Sequence, residues 1–234
     1  MRGFALLLLL SVLVAPAGAT DAVTLGYSDD GTVIGAGPDA CGEGELLYHH
    51  DGSFEGGVAW QYAGVTQPYY GAFGEGFALG DPGELECAYL WVTTVPDAFH
   101  FQSCDIFVWS GGVTGAPGEV LYLLPGLVLT SVPDWPSFGE NQIDMNCTVS
   151  GDITIGYWGN WPGELAGYYV AADLDGPGGH PWTDIAPNSV YPTGWQDPAV
   201  VWGYIPSLGL GLSWTPAGSP VESGSWGSIK RLFE

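Results

Sequence analysis

Leu85-Glu86-Cys87-Ala88-Tyr89-Leu90-Trp91-Val92 is the stretch that decides how this chain folds. Read with the two-residue period of a strand, Leu85, Cys87, Tyr89 and Trp91 share one face, and Ala88, Leu90 and Val92 share the other. Apolar residues on both faces predict a central strand covered from each side. Cys104-Asp105-Ile106-Phe107-Val108-Trp109 repeats the pattern, with Ile106 and Val108 opposite Phe107 and Trp109.

Outward from these two runs, short β-rich segments recur between Gly, Pro, Asp and Asn. Val23–Tyr27 and Thr32–Ile34 flank Ser28-Asp29-Asp30-Gly31, and Asp-Gly readily takes positive φ, so a hairpin is expected there. Glu45–His50 and Val58–Tyr62 flank a second turn at Asp51-Gly52-Ser53. Val120–Leu124, Leu127–Val132, Gln142–Met145, Asp152–Trp158, Tyr168–Asp173, Val200–Ile205 and Leu208–Trp214 follow as strands. About eleven to thirteen strands are enough to close two sheets face to face. The fold class expected is all-β, an antiparallel two-sheet sandwich over residues 20–215. Leu174 to Pro198 is expected to be a long loop, carrying His180, Trp182 and Trp195.

The N-terminus dictates where this domain works. Arg2, the apolar run Phe4–Val14 and the small-residue ending Ala17-Gly18-Ala19 have the order of a secretory signal peptide, residues 1–19. The run is too short to span a bilayer, so no transmembrane span is expected after cleavage. Cleavage leaves 215 residues and removes Arg2, moving the formal charge from −23 to −24. A chain with 26 acidic and 3 basic residues has no means of neutralising phosphates, which excludes nucleic acid as a partner. The acidity has a plain use, keeping an aromatic-rich surface soluble. It also offers the oxygen ligands that calcium prefers. With 46% hydrophobic and 12% charged residues the chain is nonetheless a folding one.

Cys41, Cys87, Cys104 and Cys147 are an even number in an exported chain, and two disulfides are expected, with three connectivities open. No CxxC pair is present to suggest zinc or redox chemistry.

Catalytic motifs are sparse. His49 and His50 are adjacent and diverge if on a strand, and His100 and His180 stand alone, with no HExxH. GxSxG and GxxxxGK are absent. Asp173-Leu174-Asp175-Gly176 is the start of a D-x-D-G calcium loop, so Asp173 and Asp175 are the metal-ligand candidates, with Asp184 or Asp197 to complete the sphere. Asp51 and Glu55 form a second acidic corner. Trp158, Trp161, Trp182 and Trp195 are the ligand-binding candidates, since an indole can stack on a pyranose face.

Several landmarks taken in order resemble a jelly-roll-like β-sandwich module of exported proteins from environmental bacteria. They are Tyr48-His49-His50-Asp51-Gly52-Ser53-Phe54-Glu55, Cys104–Trp109, Ala116-Pro117-Gly118-Glu119-Val120-Leu121, Ser150–Tyr157 and Ala171-Ala172-Asp173. They cover roughly Gly44 to Pro216. After a linker, Ser225-Trp226-Gly227-Ser228-Ile229-Lys230-Arg231-Leu232-Phe233 resembles a C-terminal tail carried by such proteins; linker and tail span 216–234. The resemblance implies an extracellular or cell-surface β domain and carries no catalytic residues.

These readings converge on a secreted, non-catalytic module with a binding or assembly role. A glycan or cell-surface component is the expected partner, and calcium is the candidate cofactor. Two other readings stand beside it: a carbohydrate-active hydrolase using a pair of Asp/Glu side chains, and a structural surface-layer component.

Overall fold

The computed structural model describes residues 21–25, 33–34, 41, 44–61, 69–95, 103–159 and 167–218. Residues 1–19, where a signal peptide is expected, His100, Trp161 and the tail expected at 225–234 lie outside the described residues. Strands follow one another almost without helix: β1 (Asp21–Leu25), β2 (Val33–Ile34), β3 (Glu45–Tyr48), β4 (Gly56–Gln61), β5 (Phe73–Ala78), β6 (Gly83–Thr93), β7 (Ser103–Gly111) and β8 (Pro117–Val128). Then come β9 (Phe138–Val149), β10 (Asp152–Trp158), β11 (Tyr169–Asp173), β12 (Pro181–Ile185), β13 (Gly194–Gln196), the short helix α1 (Ala199–Trp202), β14 (Ser207–Leu208) and β15 (Leu210–Pro216).

They form two sheets. The first runs β1-β4-β11-β6-β15-β3, with β9 also on β6, β14 on β11 and β2 on β9. The second runs β13-β12-β5-β10-β7-β8. The pairings are antiparallel except for the two-residue β2–β9 contact and the Thr94–Asp134 bridge. From β4 to β7 each strand lies in the opposite sheet from its predecessor, and β9, β10, β11 and β12 alternate likewise. This is the crossing habit of a jelly-roll-like sandwich. Between the sheets lies one apolar core, including Leu85, Leu90 and Val92 from the first and Phe73, Phe77, Val108 and Ile155 from the second.

β6 is central, as its sequence demanded, but its faces differ from simple alternation. Where β6 meets β15, Leu85 pairs with Trp214 and Cys87 with Ser213, which leaves Glu86 as an extra residue on β6. An extra residue in a strand reverses the side on which the following side chains emerge. Leu85 therefore joins Ala88, Leu90 and Val92 in the main core, while Tyr89 and Trp91 face outward. There Trp91 packs with Phe54, Phe138 and Ala171 in a small second core.

Among the described residues, β1 does not pair with β2, nor β3 with β4, as the two turns had led one to expect. β1 pairs with β4 and β2 with β9, while β3 pairs with β15 and β4 with β11. Burial of two whole sheets outweighs the local preference of an Asp-Gly turn. Val120–Leu124 and Leu127–Val132 are not separate strands; the single strand β8 contains all of the first and only Leu127 and Val128 of the second. Val200–Ile205 is not a strand either. Asp197 Oδ1 accepts the Ala199 N–H, Pro198 is already in the helical region, and Gly203 ends the turn at φ 83°. Leu174 to Pro198 is no bare loop: its ends enclose the β12–β13 ladder.

One disulfide is present, Cys41–Cys87, and Cys104 and Cys147 are free thiols. Burial, followed by the charge of Asp105, pushes the Cys104 thiol up to about 12, so it is inert packing on β7. The bridge closes a sequence separation of 46 residues onto the central strand. Cys41→Ser should therefore lower stability by about 4 kcal/mol. Denaturant melts of both proteins, with and without reductant, will show it; equal midpoints under oxidising conditions would contradict the bridge's structural role.

Candidate functional site

Three places gather the polar and aromatic chemistry. At the first, the two acidic corners of the sequence meet. Asp173 ends β11 fully buried, and its carboxylate accepts the N–H of Asp51 at 2.9 Å, of Asp175 at 3.1 Å and of Gly176 at 2.7 Å. Glu55 accepts the Leu174 N–H at 2.8 Å from the same loop. Burial, then the Leu174 bond in the opposite sense and the charges of Asp175 and Asp173, leave the Glu55 carboxyl raised. The donor atoms of Asp51, Asp173 and Asp175 lie within 4.8 Å of one another. Asp51 is thus the third acid at this corner, whereas Asp184 and Asp197 stand elsewhere. Both oxygens of Asp173 already hold backbone N–H groups, so the corner is a hydrogen-bonded clasp between the β3–β4 connection and the end of β11.

The second place is the outer face of the second sheet. Phe107, Trp109, Trp158 and Ala72 form a satellite core there, with Tyr69 and Trp195 packed on it. Phe107 and Trp109 are stacked at 4.8 Å, and Trp195 meets Trp109 edge-on at 5.0 Å. Gly74 on β5 makes the room, since a Cβ there would lie 2.5 Å from Thr154 Cγ2. Trp158 is 8% exposed and donates its indole N–H to the Tyr70 carbonyl, which makes it a packing residue. Trp182 and Trp195 are half-buried, and Trp182 donates to the Gly112 carbonyl at 2.7 Å.

Asp184 sits between them. It is directly opposite Trp195 on the β12–β13 ladder and two residues from Trp182, so all three share one face. Thr183, pointing the other way, takes the Trp60 indole N–H. Among the described residues no donor reaches the Asp184 carboxylate. Burial alone lifts its pKa to about 7.

The third place was not legible as a site in the sequence. Glu75 lies on the inner face of β5 between Phe73 and Phe77 and is 0% exposed. One of its oxygens meets His49 Nδ1 at 3.0 Å and also accepts the His180 backbone N–H; the other accepts the Leu208 N–H at 3.0 Å. Burial raises the Glu75 carboxyl, and these partners act against that rise. The His49 ring lies on Phe77 and meets the His180 ring edge-on at 6.0 Å between centroids. Both histidines line a cavity of about 410 Å³ together with Asp197 and Tyr204. The signal available was the alternation Phe73-Gly74-Glu75-Gly76-Phe77, which puts a carboxylate on an apolar face. His49 and His50 do diverge: His50 is buried against Phe54 and Trp91 on the outside of the first sheet. Among the described residues neither ring nitrogen of His50 has a hydrogen-bond partner.

Matched against protein-family models, curated proteins and solved structures, the chain finds no counterpart. Its function has to be read from these three places.

Proposed function

We propose that this protein is an exported, non-catalytic β-sandwich module that binds a carbohydrate on the outer face of its second sheet. The supporting observation is the convergence of Trp182, Asp184 and Trp195 on that face. Two partly exposed indoles stand as diagonal neighbours, about 7–8 Å apart along the ladder, with a carboxylate beside them. Indole faces suit the CH-rich side of a pyranose, and a carboxylate accepts from sugar hydroxyls. Trp109 and Trp158 hold the platform rigid from below. The signal-like N-terminus and the acidic composition accord with work outside the cell.

The hydrolase reading gains nothing from the two buried acids of the second sheet. Glu75 faces the core and Asp184 the exterior, so they cannot flank one glycosidic bond. A glycan array with the mature protein tests the proposal. Binding should appear for at least one polysaccharide class and fall at least ~10-fold in Trp195→Ala and Trp182→Ala, with the fold intact by circular dichroism. An array without hits, or hits indifferent to both substitutions, would refute it.

A further inference from the structure

We propose that His49 and His180 form a two-imidazole site for a divalent transition ion of the zinc or copper class. This stands apart from the carbohydrate reading: it lies on different residues and takes a different ligand.

Glu75 anchors the site. A carboxylate in the main core is costly unless each oxygen is engaged, and both are, by His49 Nδ1 and two backbone N–H groups. The arrangement does more than satisfy an acid. It fixes His49 through Nδ1, leaving Nε2 as the nitrogen available to the cavity that the ring lines. Metal-binding imidazoles are typically held this way, with the second ring nitrogen on a carboxylate that sets tautomer and orientation. The same oxygen that holds His49 also fixes the backbone of His180, so one buried carboxylate places both residues. Gly179 completes the cradle. A Cβ at that position would run into His49 Nδ1 and Glu75 Oε1, so only glycine lets the chain cross here.

The spacing is close to what ligation needs. A zinc–nitrogen bond of about 2.1 Å puts a ring centroid about 3.2 Å from the ion, and tetrahedral ligation then requires centroids about 5.2 Å apart. The observed 6.0 Å asks for less than about 1 Å of closure, and the exposed His180 side chain, held by no hydrogen bond among the described residues, can supply it. Asp197 lines the same cavity, and water fills the remaining positions on the ion. Imidazole donors select zinc, copper and nickel over the hard ions calcium and magnesium.

Zinc is titrated calorimetrically into the untagged mature protein at about pH 7.5, with calcium as control. One saturable zinc per chain is expected, and cobalt substitution should give the visible bands of nitrogen ligation. His180→Ala should weaken zinc binding at least ~10-fold while circular dichroism stays unchanged, because its imidazole carries no structural bond. Gly179→Ala should weaken it as well. Absence of saturable zinc binding at millimolar concentration would overturn the proposal, as would an affinity unchanged in His180→Ala. Glycan binding is read on the same samples, and its presence or absence leaves the zinc result standing.

Discussion

Asp173→Ala is expected to cost about 4 kcal/mol of folding stability. The carboxylate holds three backbone N–H groups from two separate parts of the chain, and hydrogen bonds to a buried charge contribute about 1.5–3 kcal/mol each. Asp51 and Asp175 are exposed, so water recovers part of that loss at their amides, which keeps the total below the simple sum. Asp173→Asn keeps one acceptor oxygen and presents an NH₂ where an acceptor is needed, so roughly half the penalty remains. Asp175→Ala is the discriminating control. Its carboxylate is exposed and holds none of these bonds, so a clasp predicts a change within about 0.5 kcal/mol. Equal damage from Asp175→Ala and Asp173→Ala in calcium-containing buffer, absent after chelation, would show that an ion and not the clasp holds this corner. Urea melts of the three variants decide it.

The second large effect is the pH dependence carried by Asp184. Its folded pKa of about 7 stands above the ordinary 3.8, so the folded state holds a proton that the unfolded chain releases. A raised acid contributes stability that is fully present below pH 3.8 and is lost as pH rises through about 7. Tenfold in proton affinity is worth about 1.4 kcal/mol, so the ionised carboxylate destabilises the protein at pH 8 by roughly 4 kcal/mol. Asp184→Asn removes the charge but keeps a polar group without a partner. The variant should be more stable than the parent by about 2–4 kcal/mol at pH 8, with the gap closing by about pH 4.

The difference between the two proteins is the quantity to measure, because His50 opposes Asp184. Burial first, against the pull of Asp51, holds its folded pKa at about 4. A depressed base gives stability that is present above about pH 6.5 and lost as pH falls toward 4. The two slopes nearly cancel in the parent between those limits. Thermal melts across roughly pH 4–8 that show a constant difference between parent and Asp184→Asn would disprove the assignment.

Much of the fold was written in short stretches. Leu85–Val92 announced a covered central strand, and Cys104–Trp109 a second, because apolar residues on two faces have no stable place except between layers. Pairing was not legible. Asp29-Asp30-Gly31 and Asp51-Gly52-Ser53 looked like hairpin turns, yet the strands beside them found partners far along the chain. Val200–Ile205 had strand-like composition, and the Asp197-Pro198 start with Gly203 at the end turned part of it into a helix instead.

The sites divide the same way. Spacing singles out Asp173 and Asp175, and side-chain chemistry singles out Trp158, Trp182 and Trp195, but neither says which of them meet. Asp51 reaches Asp173 across 122 residues, while Asp184 leaves the acids for the tryptophans. Trp158 is covered by its neighbours on the outer face, Trp161 lies outside the described residues, and Trp182 and Trp195 stay half open. His49, which the chain sets beside His50, and His180, which stands alone, come together on Glu75.

Sequence by itself determined that this chain makes strands, buries aromatic surface between two layers and carries a large negative charge, because side-chain periodicity and charge are local or additive properties. Only the tertiary structure decided which acid meets which amide, which indole stays open and which histidines share a carboxylate. Those depend on strand register and sheet crossing, and a register is fixed by the whole of both faces at once.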